Sequence, residues 1–174
     1  MQMTDSREIR AEPGTVWAAI LDPEVLKACI PGCQELSGSV AEGFEAVVVQ
    51  KVGPVKATFK GAVTVSDIVE GRSCTLAGEG KGGAAGFAKG SAKLRLAPAE
   101  AGTTLSYDVE ARVGGKLAQL GSRLIDGFAR KMADDFFTRF QTVVEGDSGA
   151  AAEAEAPPEV AAAKKSWLKR LVSG

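Results

Sequence analysis

The 174-residue sequence contains no histidine. That absence removes Ser-His and Cys-His catalytic pairs and every imidazole metal ligand, and with them whole classes of hydrolase and zinc chemistry. Cysteine is scarce: Cys29, Cys33 and Cys74 leave an odd thiol over, which suits a reducing compartment and three reduced side chains. Net charge is nearly missing as well, at −1, so no global positive field draws the chain onto nucleic acid. No run approaches the roughly eighteen consecutive apolar residues that a spanning helix needs, and the polar start from Met1 to Glu8 lacks a signal-peptide core. The protein is therefore expected in the cytoplasm.

What is present is an ordinary globular composition, 45% apolar and 25% charged, enough for one domain with a buried core and a tail. Met3 to Arg10 reads as a strand. A short helix follows Glu12-Pro13, and a second restarts at Asp22-Pro23, with Val25, Leu26 and Ala28 on its apolar side, ending at the turn Ile30-Pro31-Gly32. Period-two alternation then dominates. Val55, Ala57, Phe59, Gly61, Val63 and Val65 alternate with polar neighbours, as do Leu94 and Leu96, and Leu105, Tyr107, Val109, Ala111 and Val113. Such strands belong to an antiparallel sheet solvated on one face. From Lys116 to about Val144 the period becomes helical through Leu117, Leu120, Leu124, Phe128, Met132, Phe136 and Phe140, predicting one long amphipathic helix. The order implies an α+β domain whose curved sheet wraps a terminal helix.

The composition divides the chain at 1–145, 146–163 and 164–174. The middle segment is Ala/Glu/Pro-rich, with nothing large to bury, and predicts a flexible linker of about eighteen residues reaching roughly 20 to 25 Å. In the last segment, a helix would place Trp167, Leu168, Leu171 and Val172 on adjoining positions, ringed by Lys164, Lys165, Lys169 and Arg170. That pattern fits an interfacial anchor. Four basic residues near an anionic leaflet contribute about 4 kcal/mol before apolar burial is counted. A protein groove accepts the same peptide, and a solubilising tail is the plainest alternative, although Trp167 amid leucines argues against it.

Four separated segments resemble the G-subunit family of carbon monoxide dehydrogenase, within the START-like (SRPBCC) superfamily: Cys29-Ile30-Pro31-Gly32-Cys33, the run from Lys51 to Gly61, the run from Gly82 to Gly90, and the run from Val113 to Gly121. The resemblance spans roughly Thr4 to Val144. It implies a helix-grip fold and a place beside a molybdenum-containing hydroxylase, in attaching carbon monoxide dehydrogenase to the inner face of the cytoplasmic membrane. Some relatives look like quinone carriers, which implies menaquinone or ubiquinone as a bound ligand rather than a covalent cofactor. Family membership does not fix the ligand of one member.

A candidate cavity emerges from the alternation itself. If Leu76 faces the helix, then Cys74, Gly78 and Gly80 share its side, and on the next strand Ala88, Gly90 and Ala92 accompany Leu94. The middle of the sheet thus presents almost no inward volume. Either an apolar guest lodges there, walled by Tyr107, Val109, Leu120, Leu124, Phe128 and Met132, or those helix residues fill the space, or the glycines are bulges that bend long strands. Tyr107 is the chief inward hydroxyl expected, so a prenylated quinone or lipid suits the space better than a sugar or nucleotide.

Other candidates weaken on inspection. The Gly78 to Gly90 run is flanked by strand patterns on both sides, unlike a phosphate loop. Cys29 and Cys33 lack the further ligands a zinc site requires and read as small residues flanking a turn. The carboxylates Asp134-Asp135, and Asp108 with Glu110, fall on polar faces, which disfavours catalysis. A START-like cyclase or hydrolase with a cavity carboxylate is the alternative to a non-catalytic binding module.

Overall fold

A computed structural model describes residues 1–148. Strand β1 spans Gln2–Ile9, helices α1 and α2 span Pro13–Ile20 and Pro23–Cys29, and six strands follow: β2 (Cys33–Ser39), β3 (Gly43–Val52), β4 (Val55–Val69), β5 (Ser73–Lys81), β6 (Phe87–Ala99) and β7 (Gly102–Gly114). Helices α3 (Lys116–Gln119) and α4 (Ser122–Ser148) complete the described chain. All seven strands form one antiparallel sheet in the order β1-β7-β6-β5-β4-β3-β2, so the first strand closes back on the last. This is the helix-grip architecture that the family resemblance implies, with the antiparallel sheet that the alternation predicts.

Local chemistry sets the breaks. Proline occupies the first turn of both α1 and α2, where its missing N–H costs least, and the Asp22 carboxylate caps α2 by accepting from the Glu24 N–H at 2.8 Å. On α2 the buried residues are Val25 and Cys29, four positions apart and so on one face, while Ala28 faces solvent. The C-terminal helical pattern is not one helix. Gly121 adopts φ +91°, a left-handed conformation open mainly to glycine, and this divides α3 from α4.

The core occupies one half of the cup. Phe137, Phe140 and Val144 of α4 pack with Ile9, Val16, Trp17, Val25, Leu96 and Leu105. Phe137 stacks on Tyr107 at 5.1 Å between ring centroids and meets Phe136 edge-on at 5.0 Å. The N-terminal half of α4 contributes none of these buried residues. Among the described residues no helix is long and apolar enough to cross a membrane.

Candidate functional site

The small-residue stripe is a property of the sheet's register. Leu76 pairs with Ala92, Gly78 with Gly90 and Gly80 with Ala88 across β5 and β6. The same rows continue to Val65, Val63 and Gly61 on β4 and to Val109, Ala111 and Val113 on β7. The β5–β6 pairing runs without a register shift, so these glycines are not bulges.

They serve different purposes. A Cβ at Gly90 would lie 2.4 Å from the Glu110 carbonyl oxygen and 2.9 Å from the Ala111 Cβ, so glycine there permits close strand approach. A Cβ at Gly80 would meet nothing within 4 Å. Gly80 therefore faces open space, and that space is a cavity.

The cavity has two chambers. The inner one, of about 560 Å³, lies between the stripe, the α1–α2 corner and α4, walled by Leu76, Gly78, Gly80, Ala88, Gly90, Ala92, Tyr107 and Val109. The outer one, of about 840 Å³, lies under the first turns of α4 and includes Phe128 and Met132. Met3, Val48, Phe59, Gly80, Ala88, Val109 and Phe136 belong to both walls. Volumes of this size match small-molecule sites. The large helix side chains line the hollow instead of filling it.

Two expected wall residues lie elsewhere. Leu120 and Leu124 border neither chamber. The break at Gly121 takes Leu120 out of the helical register as the C-cap of α3, and Leu124 turns outward, its methyl groups set over Gly53 in the β3–β4 turn. The wall also contains residues outside the β5, β6 and helix tracks from which the cavity was expected. Ile20, Leu21, Leu26 and Ile30 of the α1–α2 corner roof the inner chamber, and Phe44, Val48 and Val63 close its far side. The β4 alternation was the available signal for Phe59, Gly61 and Val63; only the closure of the cup brings α1 and α2 over them.

Polar groups near the cavity are few and largely occupied. The Tyr107 hydroxyl accepts from the Arg7 guanidinium at 3.4 Å, which engages the expected inward hydroxyl from the β1 edge. Arg7 also donates to Asp134 at 2.5 Å and lies 5.3 Å from the centre of the Phe137 ring. Burial opposes the Arg7 charge, and the hydrogen bonds to Asp134 and Tyr107 overcome it, raising its proton affinity. Asp134 is thus exposed but engaged, tying α4 to β1. Asp108, on the outer face, bonds Thr4 and Arg95, and those contacts hold its carboxyl below the usual range.

The three cysteines are free thiols. Cys29 and Cys74 are buried, and Cys33 is half-buried, its Sγ–H donating to the Glu35 carbonyl at 3.3 Å. Among the described residues no cluster of His, Cys, Asp and Glu could hold a metal ion. Burial pushes the Cys29 thiol up from 9.0 to about 11, with Arg139 opposing weakly. The folded protein thus keeps a proton that the unfolded chain releases above pH 9. Stability is expected to be constant in this respect below pH 9 and to fall by about 2 to 3 kcal/mol as pH rises to 11. Urea unfolding at pH 8 and pH 10.5 measures this, and Cys29→Ala should reduce the difference, burial of Cys33 and Cys74 acting in the same direction.

Fold and site together define a helix-grip protein with an apolar internal cavity. The family model for the G subunit of carbon monoxide dehydrogenase (CoxG) matches residues 6–145, and the chain belongs to that family. Its solved structural neighbours share the fold. A conserved protein from Geobacillus kaustophilus is 29% identical with a TM-score of 0.79, the match covering 84% of this chain and 97% of that one. A Chromobacterium violaceum protein (18% identity, TM-score 0.61, 83% and 97% coverage) and Ara h 8.0201 (15%, 0.58, 84% and 98%) share the fold. No curated protein matches the sequence.

Proposed function

We propose that the protein is a non-catalytic binding module that holds a prenylated quinone, menaquinone or ubiquinone, or a similarly apolar lipid, and serves a molybdenum-containing hydroxylase of the carbon monoxide dehydrogenase type at the inner face of the cytoplasmic membrane. The observation that carries this reading is the cavity itself: two chambers with a shared wall, lined by aliphatic and aromatic side chains, beneath a stripe of glycine and alanine. A phosphate or sugar placed there would lose its hydration with little to replace it, whereas an isoprenoid chain gains by leaving water. The family assignment supports an association with carbon monoxide dehydrogenase.

Among the described residues no catalytic constellation competes with this. Asp126 borders the outer chamber, but the chain supplies no histidine to work with it, and the carboxylates at Asp108 and Asp134 are committed to Arg95 and Arg7. The linker and the peptide of Lys164, Lys165, Trp167, Leu168, Lys169, Arg170 and Leu171 lie outside the described residues; their proposed part is reversible attachment to the membrane.

Organic extraction of the full-length protein, purified from a quinone-containing host and followed by mass spectrometry, tests the carrier reading. A quinone or lipid near one per protein is the expected result. A protein that emerges empty and takes up neither added menaquinone nor added ubiquinone overturns it.

A further inference from the structure

One end of the cup is formed by three segments that meet in space: the β3–β4 turn, the β5–β6 connection and the β7–α3–α4 corner. Leu124 lies over Gly53, Phe87 lies over Gly114, and Gly86 approaches Gly114 and Gly115, which fixes their juxtaposition. The outer chamber reaches this end, its wall including Met1, Val52, Val113 and Leu117 and the exposed residues Gly121 and Ser122. The larger chamber therefore opens here.

The charge on these segments is of one sign. Residues 51–56, 81–87 and 112–123 carry Lys51, Lys56, Lys81, Arg112, Lys116 and Arg123, all exposed, and no carboxylate. The first carboxylate along α4 is Asp126, half-buried on the chamber wall. Among the described residues only Lys81 of the six cations has an acidic partner, Glu79 at 3.6 Å. The opposite end is the reverse: residues 8–12, 39–45, 67–73 and 97–104 hold seven carboxylates and two arginines. A chain of net charge −1 is thus polarised along the cup axis, positive at the mouth. Two large apolar side chains stand out at the same mouth, Phe87 at 43% exposure and Leu124 at 37%.

We infer that the cavity mouth is itself a docking surface for an anionic lipid bilayer, seated by the six cations with Phe87 and Leu124 entering the interface. Cations attract the acidic leaflet and hold the cup mouth-down, since its far end is repelled. The apolar pair then sits among acyl chains, and a guest can pass between bilayer and cavity without crossing water. This use of the mouth rests on the reading that the cavity holds an apolar guest. The attachment is separate from the proposed C-terminal peptide, which lies outside the described residues.

Sedimentation of the full-length chain with vesicles of equimolar phosphatidylglycerol and phosphatidylcholine tests the surface. Lys56→Gln with Lys116→Gln should weaken binding roughly tenfold or more, by the loss of two surface cations. Phe87→Ser with Leu124→Ser should also weaken it, and Ile68→Ser with Val69→Ser, exposed apolar residues at the far end, should not. Thermal midpoints near wild type show that the variants are folded. Rim variants that pellet like wild type overturn the proposal and assign the cationic rim to an acidic protein surface. Equal loss in the far-end variant also overturns it. Extraction of the same samples reads the guest separately: loss of vesicle binding in rim variants of a protein that contains no apolar molecule supports docking while defeating the carrier reading.

Discussion

Replacing Gly80 by leucine is expected to reduce bound ligand at least tenfold while leaving the fold intact or slightly more stable. The position is unusual among the inward glycines because a Cβ there meets nothing within 4 Å, and its backbone needs no left-handed torsion. An isobutyl group would project into both chambers, whose walls share Gly80, and occupy volume a guest requires. Removing a strand glycine also restores about 0.5 to 1 kcal/mol of backbone entropy. Gly90→Leu is the contrasting variant. It drives a side chain into the Glu110 carbonyl and the Ala111 methyl, and overpacking of that kind costs about 1 to 3 kcal/mol or more. Ligand content by extraction and midpoints by urea unfolding distinguish the two, and a Gly80→Leu protein that still carries its full complement of ligand would refute the assignment of the cavity.

Phe140→Ala is expected to cause the largest loss of stability among single aromatic truncations in α4, about 3 to 5 kcal/mol. Phe140 is wholly buried on α4, which packs against α2, β1 and α1, and it is stacked near Phe136 at 5.9 Å and edge-on to Phe137 at 6.2 Å. For a domain whose total stability is about 5 to 15 kcal/mol, that is a large share. Phe128→Ala, by contrast, truncates a half-buried ring beside an existing hollow and should cost clearly less than Phe140→Ala, because few contacts are lost there. Urea unfolding of both variants checks the ordering. A Phe128 penalty equal to that of Phe140 would mean that the N-terminal half of α4 is packed as tightly as the rest.

The difference between those two phenylalanines shows where sequence reasoning reaches its limit. Both sit on the same apolar stripe of one helical pattern, and periodicity cannot tell which half of the stripe meets a core and which meets space. That depends on Trp17, Ile20 and Val25 arriving from another part of the chain. The β5 and β6 tracks were legible because alternation is a strict geometric rule: Leu76, Gly78 and Gly80, and Ala88, Gly90 and Ala92, face one way whatever lies opposite. The break at Gly121 was not, since a single glycine costs a helix only about 1 kcal/mol and leaves the apolar spacing on either side undisturbed. Leu120 was displaced from the cavity by that one residue, whereas Leu124, in the first turn of α4, lies over Gly53 at the rim. Asp134 reads as a solvated carboxylate until Arg7 is brought across from β1.

Local rules therefore determined the element types, the inward stripe of small residues and the absence of imidazole chemistry, because each depends on neighbours within a few positions. Tertiary closure decided the rest. It set which large side chains fill the cup and which surround a hollow, and it gathered cations from three distant segments onto one rim. A sequence of almost no net charge records neither outcome, since both arise from distances between residues far apart along the chain.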